Sequence, residues 1–261
     1  MIVFIFLFIL GLLLGSSIYA FSWRYHEHKD WLKGRSECDY CHHRLSPLDL
    51  LPLLSWVFLG GKCRYCHKSL SLQYPLVELA TAGLFGLSYI FWPFSFHGLG
   101  LFQFICWLGL LVGFMILTIY DLKWYTLPDK IVFPLIVLAA IQLIIVSLVS
   151  RDPSHLASGI IAAILITGAF YVLFKLSDGR WIGGGDVKLA ICLGLVAGSP
   201  LRSVLLIFIA SLSGTIIAIP IVLKQRRANM HIPFGPLLIL ATIVVFFLGS
   251  DLISWYSRLI T

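Results

Sequence analysis

Two aspartates stand where an apolar chain has least reason to put them. Asp121 closes the apolar run that ends in "TIYD". Asp186 follows three glycines in "WIGGGDVKLA" and opens another apolar run. Ionisable groups at the edge of hydrocarbon are disfavoured and by default mark functional positions. Two carboxylates brought together share one proton, because repulsion and desolvation keep one protonated while the other stays ionised. Such a pair activates a water and polarises a carbonyl, the chemistry of aspartic proteolysis. Glycines at 183–185 allow close approach of a substrate strand. The spacing also admits a structural reading, and on spacing alone that reading leads: Asp186 as the N-cap of the helix it opens. Asp121 fits it poorly, since a carboxylate at a helix C-terminus is unfavourable. Lys123 and Lys188, each two residues further on, are placed to offset either charge.

A second group of residues suits a metal. Cys38 and Cys41 ("CDYC") and Cys63 and Cys66 ("CRYC") form two Cys-x-x-Cys pairs in one polar segment. Each pair holds two thiolates on one tight turn, and two pairs complete a tetrahedral zinc site. Four cysteines leave no position for a water, so the expected role is structural, folding a knuckle with little core of its own. A thioredoxin-like redox pair and disulfides are the rivals. No βαβ pattern surrounds either pair, and a reducing cytoplasm opposes disulfides. His42, His43 and His67 are substitute ligands by type and read more simply as solvated loop residues. Cys106 and Cys192 lie in apolar runs and read as small buried hydrophobes.

These groups sit on an unusually apolar chain. Of its residues 59% are hydrophobic and 12% charged, with a mean hydropathy of +0.96, whereas a soluble domain carries roughly a quarter charged residues. The fold class expected is therefore all-α: a polytopic integral membrane protein with about eight transmembrane helices and a small zinc-binding cytoplasmic loop domain. A span needs about 20 apolar residues, and the runs at 1–21, 74–92, 98–120, 131–150, 156–176, 183–198, 201–223 and 234–256 fit. The sixth is short and glycine-rich, suited to a tilted, broken or re-entrant segment. The first lacks a basic n-region and an A-x-A site, so it reads as a retained helix. The chain then divides into a first helix (1–21), a zinc-binding loop domain (22–73) and a membrane-embedded domain (74–261).

Charge orients the spans. Alternate loops place residues 22–73, 121–130, 175–188 and 224–233 on one side, with 16 of the 19 lysines and arginines. That side is expected to be cytoplasmic, leaving both termini outside. The net charge of +7 is accounted for by this bias, so lipid and not nucleic acid is the expected partner. Asp121, Asp186 and the cysteines all fall on the same side.

Four blocks, in order, resemble the type IV prepilin peptidases, of the GxGD-type intramembrane aspartyl proteases. "GGGDVKLA" resembles their Gly-x-Gly-Asp signature and "DLKWYTLPDK" their Asp-plus-"LPD" motif. "PLLSWVFLGGKCRYC" with "QYPLVELATA" is similar to their cysteine loop and second helix, and "IPFGPLL" (232–238) to the start of their last helix. The resemblance implies a bacterial inner-membrane enzyme that cuts the basic leader from prepilins or pseudopilins at the cytoplasmic face, after a glycine. Many members also methylate the new N-terminal residue, often phenylalanine, with S-adenosylmethionine. By this resemblance Asp121 and Asp186 are the catalytic aspartates and Cys38, Cys41, Cys63 and Cys66 the zinc ligands. Asp129 matches a recurrent position and reads here as the N-cap of the fourth span. The chain departs from the family at "GSSIYAFSWR", where Tyr19 replaces a common asparagine of "GSFLNVVIYR". The departure bears on methyl transfer and not on cleavage, so a peptidase without methyltransferase activity is the alternative. No "GxGxxG" marks a methyl-donor site. The residues singled out for it are Gly60, Gly61 and Glu78, with Glu78 reading equally as a glutamate bonded to a neighbouring helix.

Two other classes compete. A small transporter also uses glycine-broken helices and buried carboxylates, but its site lies near the midplane and no inverted repeat is visible. A scaffold docking a partner through the zinc knuckle leaves Asp121 and Asp186 unexplained.

Overall fold

Each predicted span is a helix in the computed structural model, which describes residues 1–30, 36–38, 40–225 and 233–260. Lys33, Arg35, Arg226 and Arg227 of the charge bias, Asp39 of "CDYC" and Ile232 of "IPFGPLL" lie outside the described residues. Among the described residues there is no strand, only the isolated bridges Glu37–Arg44 and Lys62–Ser69. Among the described residues six helices are long and apolar enough to cross a membrane. The two further predicted spans, Gln73–Ile90 and Gly184–Ala197, are helical but fall outside that set. In Gln73–Ile90 the polar residues Glu78, Thr81 and Ser88 lower the mean hydropathy, yet all three are buried.

The chain forms two compact units, Met1–Trp92 and Pro93–Thr261. In the first, α1 (Ile2–His26) packs along α3 (Gln73–Ile90), with the polar segment and the short α2 (Leu54–Phe58) between them in sequence. Their contact is set by small residues. A Cβ on Gly11 would lie 2.6 Å from Ala82 Cα, and one on Gly15 would lie 2.7 Å from Glu78 Cα. With lipid on the outside, van der Waals approach of backbones is what holds such a pair, and a Gly-x-x-x-Gly face permits it. Tyr19, at the position where the family pattern has asparagine, hydrogen-bonds Gln73 Oε1 (3.1 Å) and packs on Tyr74 (4.2 Å).

The second unit consists of α4 (Leu99–Trp124), α5 (Asp129–Ser150), α6 (Pro153–Leu176), α7 (Gly184–Ala197), α8 (Pro200–Gln225) and α9 (Gly235–Ile260). α7 packs against α5, α6, α8 and α9, and Leu189, Ala190, Cys192 and Leu193 on it are fully buried. Cys106 is buried as well. Trp107 of α4 stacks on Phe246 of α9 at 4.0 Å, with Phe247 edge-on at 5.5 Å. At 14 residues α7 rises about 21 Å, well short of its neighbours of 22 to 26 residues.

Candidate active site and metal centre

Short turns bring three sequence blocks to one end of the second unit. α4 ends at Tyr125, which takes a left-handed conformation (φ 53°) and donates its N–H to the Asp121 carbonyl at 3.1 Å. This is a helix-ending bond of the αL type. Pro128 then caps α5 in an extended conformation, with no side-chain bond. Asp129 is therefore the first residue of α5 and not its N-cap. Its carboxylate instead takes both of its oxygens to Lys188 Nζ of α7, at 2.7 and 2.8 Å. The proline preset the backbone for helix entry, which left Asp129 free to bridge.

Asp186 is likewise not an N-cap. Gly183 occupies that position in an extended conformation (φ −73°, ψ 148°), and Asp186 sits three residues in. Its Oδ2 accepts the Gly183 N–H at 3.2 Å. That is the carboxylate half of a capping box, the other half requiring a side chain that glycine lacks. The partial positive charge of a helix start favours an anion there.

Asp121 lies inside the last turn of α4 and is buried. Its own helix end repels a carboxylate, and a different helix supplies the compensation. Gly235, the first residue of α9, donates its N–H to Asp121 Oδ2 at 2.9 Å. A Cβ on Gly235 would sit 2.8 Å from that oxygen, so only glycine permits this approach. Leu127 packs between the arms: a Cβ on Gly185 would lie 2.9 Å from Leu127 Cβ, and one on Gly235 3.5 Å from Leu127 Cδ2. The Asp121 charge acts electrostatically on Asp186. The "LPD", "GGGD" and "FGP" segments thus meet around two carboxylates, each held by one backbone N–H at a helix start. Gly235 was missed by sequence reasoning as a contributor. Its signal was the Gly-Pro step in "IPFGPLL", which marks a helix start.

The four cysteines of the first unit also come together. Their sulfurs lie within 4.8 Å of one another, with Cys38 and Cys66 at 3.9 Å. Zinc–sulfur bonds of about 2.3 Å put tetrahedral sulfurs about 3.8 Å apart, so the cluster fits a tetrahedral metal. The two turns repeat one another. Cys38 N–H bonds the His43 carbonyl (3.0 Å) and Cys63 N–H the Lys68 carbonyl (2.9 Å). His42 and His67 each follow the second cysteine of their pair, with φ 53° and 57°. Both are exposed turn residues outside the sulfur cluster, and exposed His43 lies against Tyr65 at 3.7 Å. The repeated "Cys-x-x-Cys-His" was a legible but unread signal for this duplication. Burial pushes the Cys38 thiol up to about 11. At Cys63 burial is outweighed by the Cys66 and Tyr65 backbone N–H groups, which bring that thiol to about 7. A bound dication would hold all four as thiolates.

Of the residues singled out for a methyl donor, Gly61 (φ 69°) presses on Trp56, where a Cβ would lie 2.8 Å from the ring, while Gly60 faces open space. Glu78 is buried and accepts the Leu53 N–H at 2.7 Å. A bond from Ser16 of α1 also reaches it.

Comparison with known proteins agrees with this layout. Residues 9–92 match the Bacterial Peptidase A24 N-terminal domain and residues 108–219 the Type IV leader peptidase family. A prepilin leader peptidase/N-methyltransferase of Bacillus subtilis (strain 168) is 32% identical over 97% of this chain and 97% of its own. This chain belongs to the type IV leader peptidase family. Further relatives of the same description occur in Pseudomonas aeruginosa (35% identical, 85% of this chain and 74% of the relative) and Aeromonas hydrophila (33%, 85% and 74%). No solved structure matches the chain. The two matched segments are separated by residues 93–107, which run from just after α3 into the first part of α4. The leader peptidase segment holds Asp121 and Asp186, while Gly235 lies beyond its end.

Proposed function

We propose that the protein cleaves the leader peptide from type IV prepilins or pseudopilins with Asp121 and Asp186 as its catalytic pair, and methylates the N-terminus so released. The observation that carries this reading is the meeting of the two carboxylates, each on a backbone N–H, in a chain of the type IV leader peptidase family. A water between them loses a proton to the ionised carboxylate as its oxygen attacks the scissile carbonyl. The protonated carboxyl polarises that carbonyl and gives its proton to the developing oxyanion. Collapse breaks the C–N bond: one hydroxyl of the gem-diol returns its proton to the carboxylate that had protonated the oxyanion, and the leaving amine takes a proton from the carboxyl that received it from water. The pair titrates as one unit, so acid and base are roles of the pair. Backbone N–H groups at helix starts hold one oxygen of each carboxylate, and the remaining oxygens take the water and the substrate.

The cysteine cluster takes zinc in a structural role, holding the polar segment folded. S-adenosylmethionine supplies the methyl group, an electrophilic carbon on a sulfonium that a deprotonated N-terminal amine attacks. The protein lies in the bacterial inner membrane with α3 and α7 among eight spans. Its lysines and arginines place the aspartates and the knuckle on the cytoplasmic side and both termini outside.

One incubation tests the reading: purified protein, a prepilin and S-adenosylmethionine, followed by the mass of the product's N-terminus. The expected product lacks its leader and carries one methyl group. Asp121→Asn and Asp186→Asn should each abolish cleavage while the protein still accumulates in the membrane. Normal cleavage by either variant removes the pair from catalysis, and a cleaved, unmethylated product from wild-type protein leaves a peptidase alone.

A further inference from the structure

The connector between α4 and α5 leads away from one aspartate of the pair and lies against the helix that carries the other. Asp121 is in the last turn of α4, and α5 begins at Asp129. Two residues of this stretch meet α7. Leu127 packs on its first turn, where a Cβ on Gly185 would lie 2.9 Å from Leu127 Cβ. Asp129 takes Lys188 Nζ on both of its oxygens, at 2.7 and 2.8 Å. The proteolytic steps assigned to Asp121 and Asp186 use neither contact.

The two contacts share one register. Gly185 and Lys188 are three residues apart on a helix, so they lie on one face with about 5–6 Å between Cβ positions. Pro128, between Leu127 and Asp129, is extended (φ −64°, ψ 126°). In extended backbone, residues two apart point the same way and lie about 6–7 Å apart. The spacings match, so residues 127–129 run lengthwise along the start of α7, with an apolar contact at one end and an ion pair at the other. Leu127 reaches α9 as well: a Cβ on Gly235 would lie 3.5 Å from its Cδ2, and the Gly235 N–H holds Asp121. One three-residue segment therefore touches the starts of both helices whose backbone holds the carboxylates.

The ion pair does little for folding, since its side chains are roughly half exposed and such pairs are weak. A weak bond can still set where a short connector rests. Its lysine belongs to the helix of Asp186, and its aspartate follows the connector that leaves Asp121. We propose that Asp129 and Lys188, together with Leu127, are positioning residues that set the separation of Asp121 and Asp186. The proposal rests on the reading of those two aspartates as the catalytic pair. The three side chains act through the backbone that carries the carboxylates and take no part in the proton transfers.

The test is prepilin cleavage by purified protein in detergent, with kcat and KM determined separately and rates taken per folded molecule. Asp129→Asn and Lys188→Met should each lower kcat about two- to fivefold, the range an exposed pair supports, with KM unchanged. Because the two residues share one bond, the double variant should be no slower than either single variant. Lys188→Arg keeps a cation for Asp129 and should stay within about twofold of wild type. Leu127→Ala removes the apolar contact and should lower kcat about tenfold or more, as displacement of a catalytic group does. Wild-type kcat in both neutral variants, a change confined to KM, losses that multiply in the double variant, or equal losses in Lys188→Arg and Lys188→Met would each overturn the positioning role and leave the catalytic pair standing. Normal cleavage by Asp121→Asn or Asp186→Asn overturns the reading on which it rests.

Discussion

Gly235→Ala is the substitution that most sharply tests how Asp121 is held. The new Cβ would lie 2.8 Å from Asp121 Oδ2 and 3.3 Å from Cγ, the first a separation that non-bonded carbon and oxygen do not tolerate. Gly235 begins a helix with Pro236 next in line, so its backbone has little room to yield, and the short carboxylate arm must turn away instead. Turning it breaks the 2.9 Å bond from the Gly235 N–H. A hydrogen bond to a charged group is worth about 1.5–3 kcal/mol, which corresponds to roughly tenfold to a hundredfold or more in rate if the loss appears in the transition state. A misplacement of about 1 Å in a catalytic group costs a similar factor, on the order of 10². Prepilin cleavage should therefore fall by about two orders of magnitude, while membrane accumulation and thermal unfolding change little. Gly168→Ala in α6 is the control, because a Cβ there meets nothing within 4 Å. It should cleave at the wild-type rate. Cleavage by Gly235→Ala at more than half the wild-type rate would refute the idea that this N–H holds Asp121 in its working position.

The remaining expectations concern other parts of the molecule. The Asp129–Lys188 pair is roughly half exposed on both sides (50% and 43%), so a double-mutant cycle with Asp129→Asn and Lys188→Met should give a coupling of at most about 1 kcal/mol in unfolding; a value several times larger would mean that the pair is buried in the membrane-inserted protein. Cys63→Ser should reduce zinc, measured by elemental mass spectrometry, to well under one per chain and lower thermal stability, whereas Cys106→Ser should leave zinc content unchanged. Full stability of metal-free protein would argue against a structural metal. Burial raises the Asp49 carboxyl, but Arg64 at 2.6 Å together with Ser46 and Tyr65 outweighs it and holds the group at about 2. A folded-state value below the unfolded one stabilises the fold above the unfolded value, near 4, and that contribution fades as pH falls towards 2. Wild-type thermal stability should accordingly decline over that window more steeply than that of Asp49→Asn, and parallel curves would exclude the ion pair as the cause.

The parts of the molecule legible in the sequence are those written locally. Eight apolar runs became eight helices within a few residues of the expected ends, because hydrocarbon length and backbone satisfaction leave few alternatives. Two Cys-x-x-Cys turns became one sulfur cluster, because spacing alone fixes which thiolates share a turn. What the sequence hid are bonds between distant segments. Asp121 and Gly235 are 114 positions apart, and Asp129 and Lys188 are 59 apart. No periodicity encodes such pairings. Reading Asp129 as a cap, and Asp186 as one on spacing alone, had one cause, the assumption that the polar residue at a helix start must be the cap. Pro128 and Gly183 took those positions, and the displaced carboxylates acquired other partners.

That displacement has a chemical consequence. Lys188, two residues after Asp186, was the obvious counter-ion for it, and an ammonium bound there would favour an ionised carboxylate and oppose the sharing of a proton with Asp121. Its Nζ instead lies within 2.8 Å of both Asp129 oxygens. Asp186 is left with the Gly183 N–H and Asp121 with the Gly235 N–H, dipolar partners that favour the ionised form less strongly than the full charge of an ammonium would. The proline that begins α5 and the glycines that begin α7 and α9 therefore act together. They put helix starts where cations would otherwise be needed, which is what the proposed sharing of one proton between Asp121 and Asp186 requires.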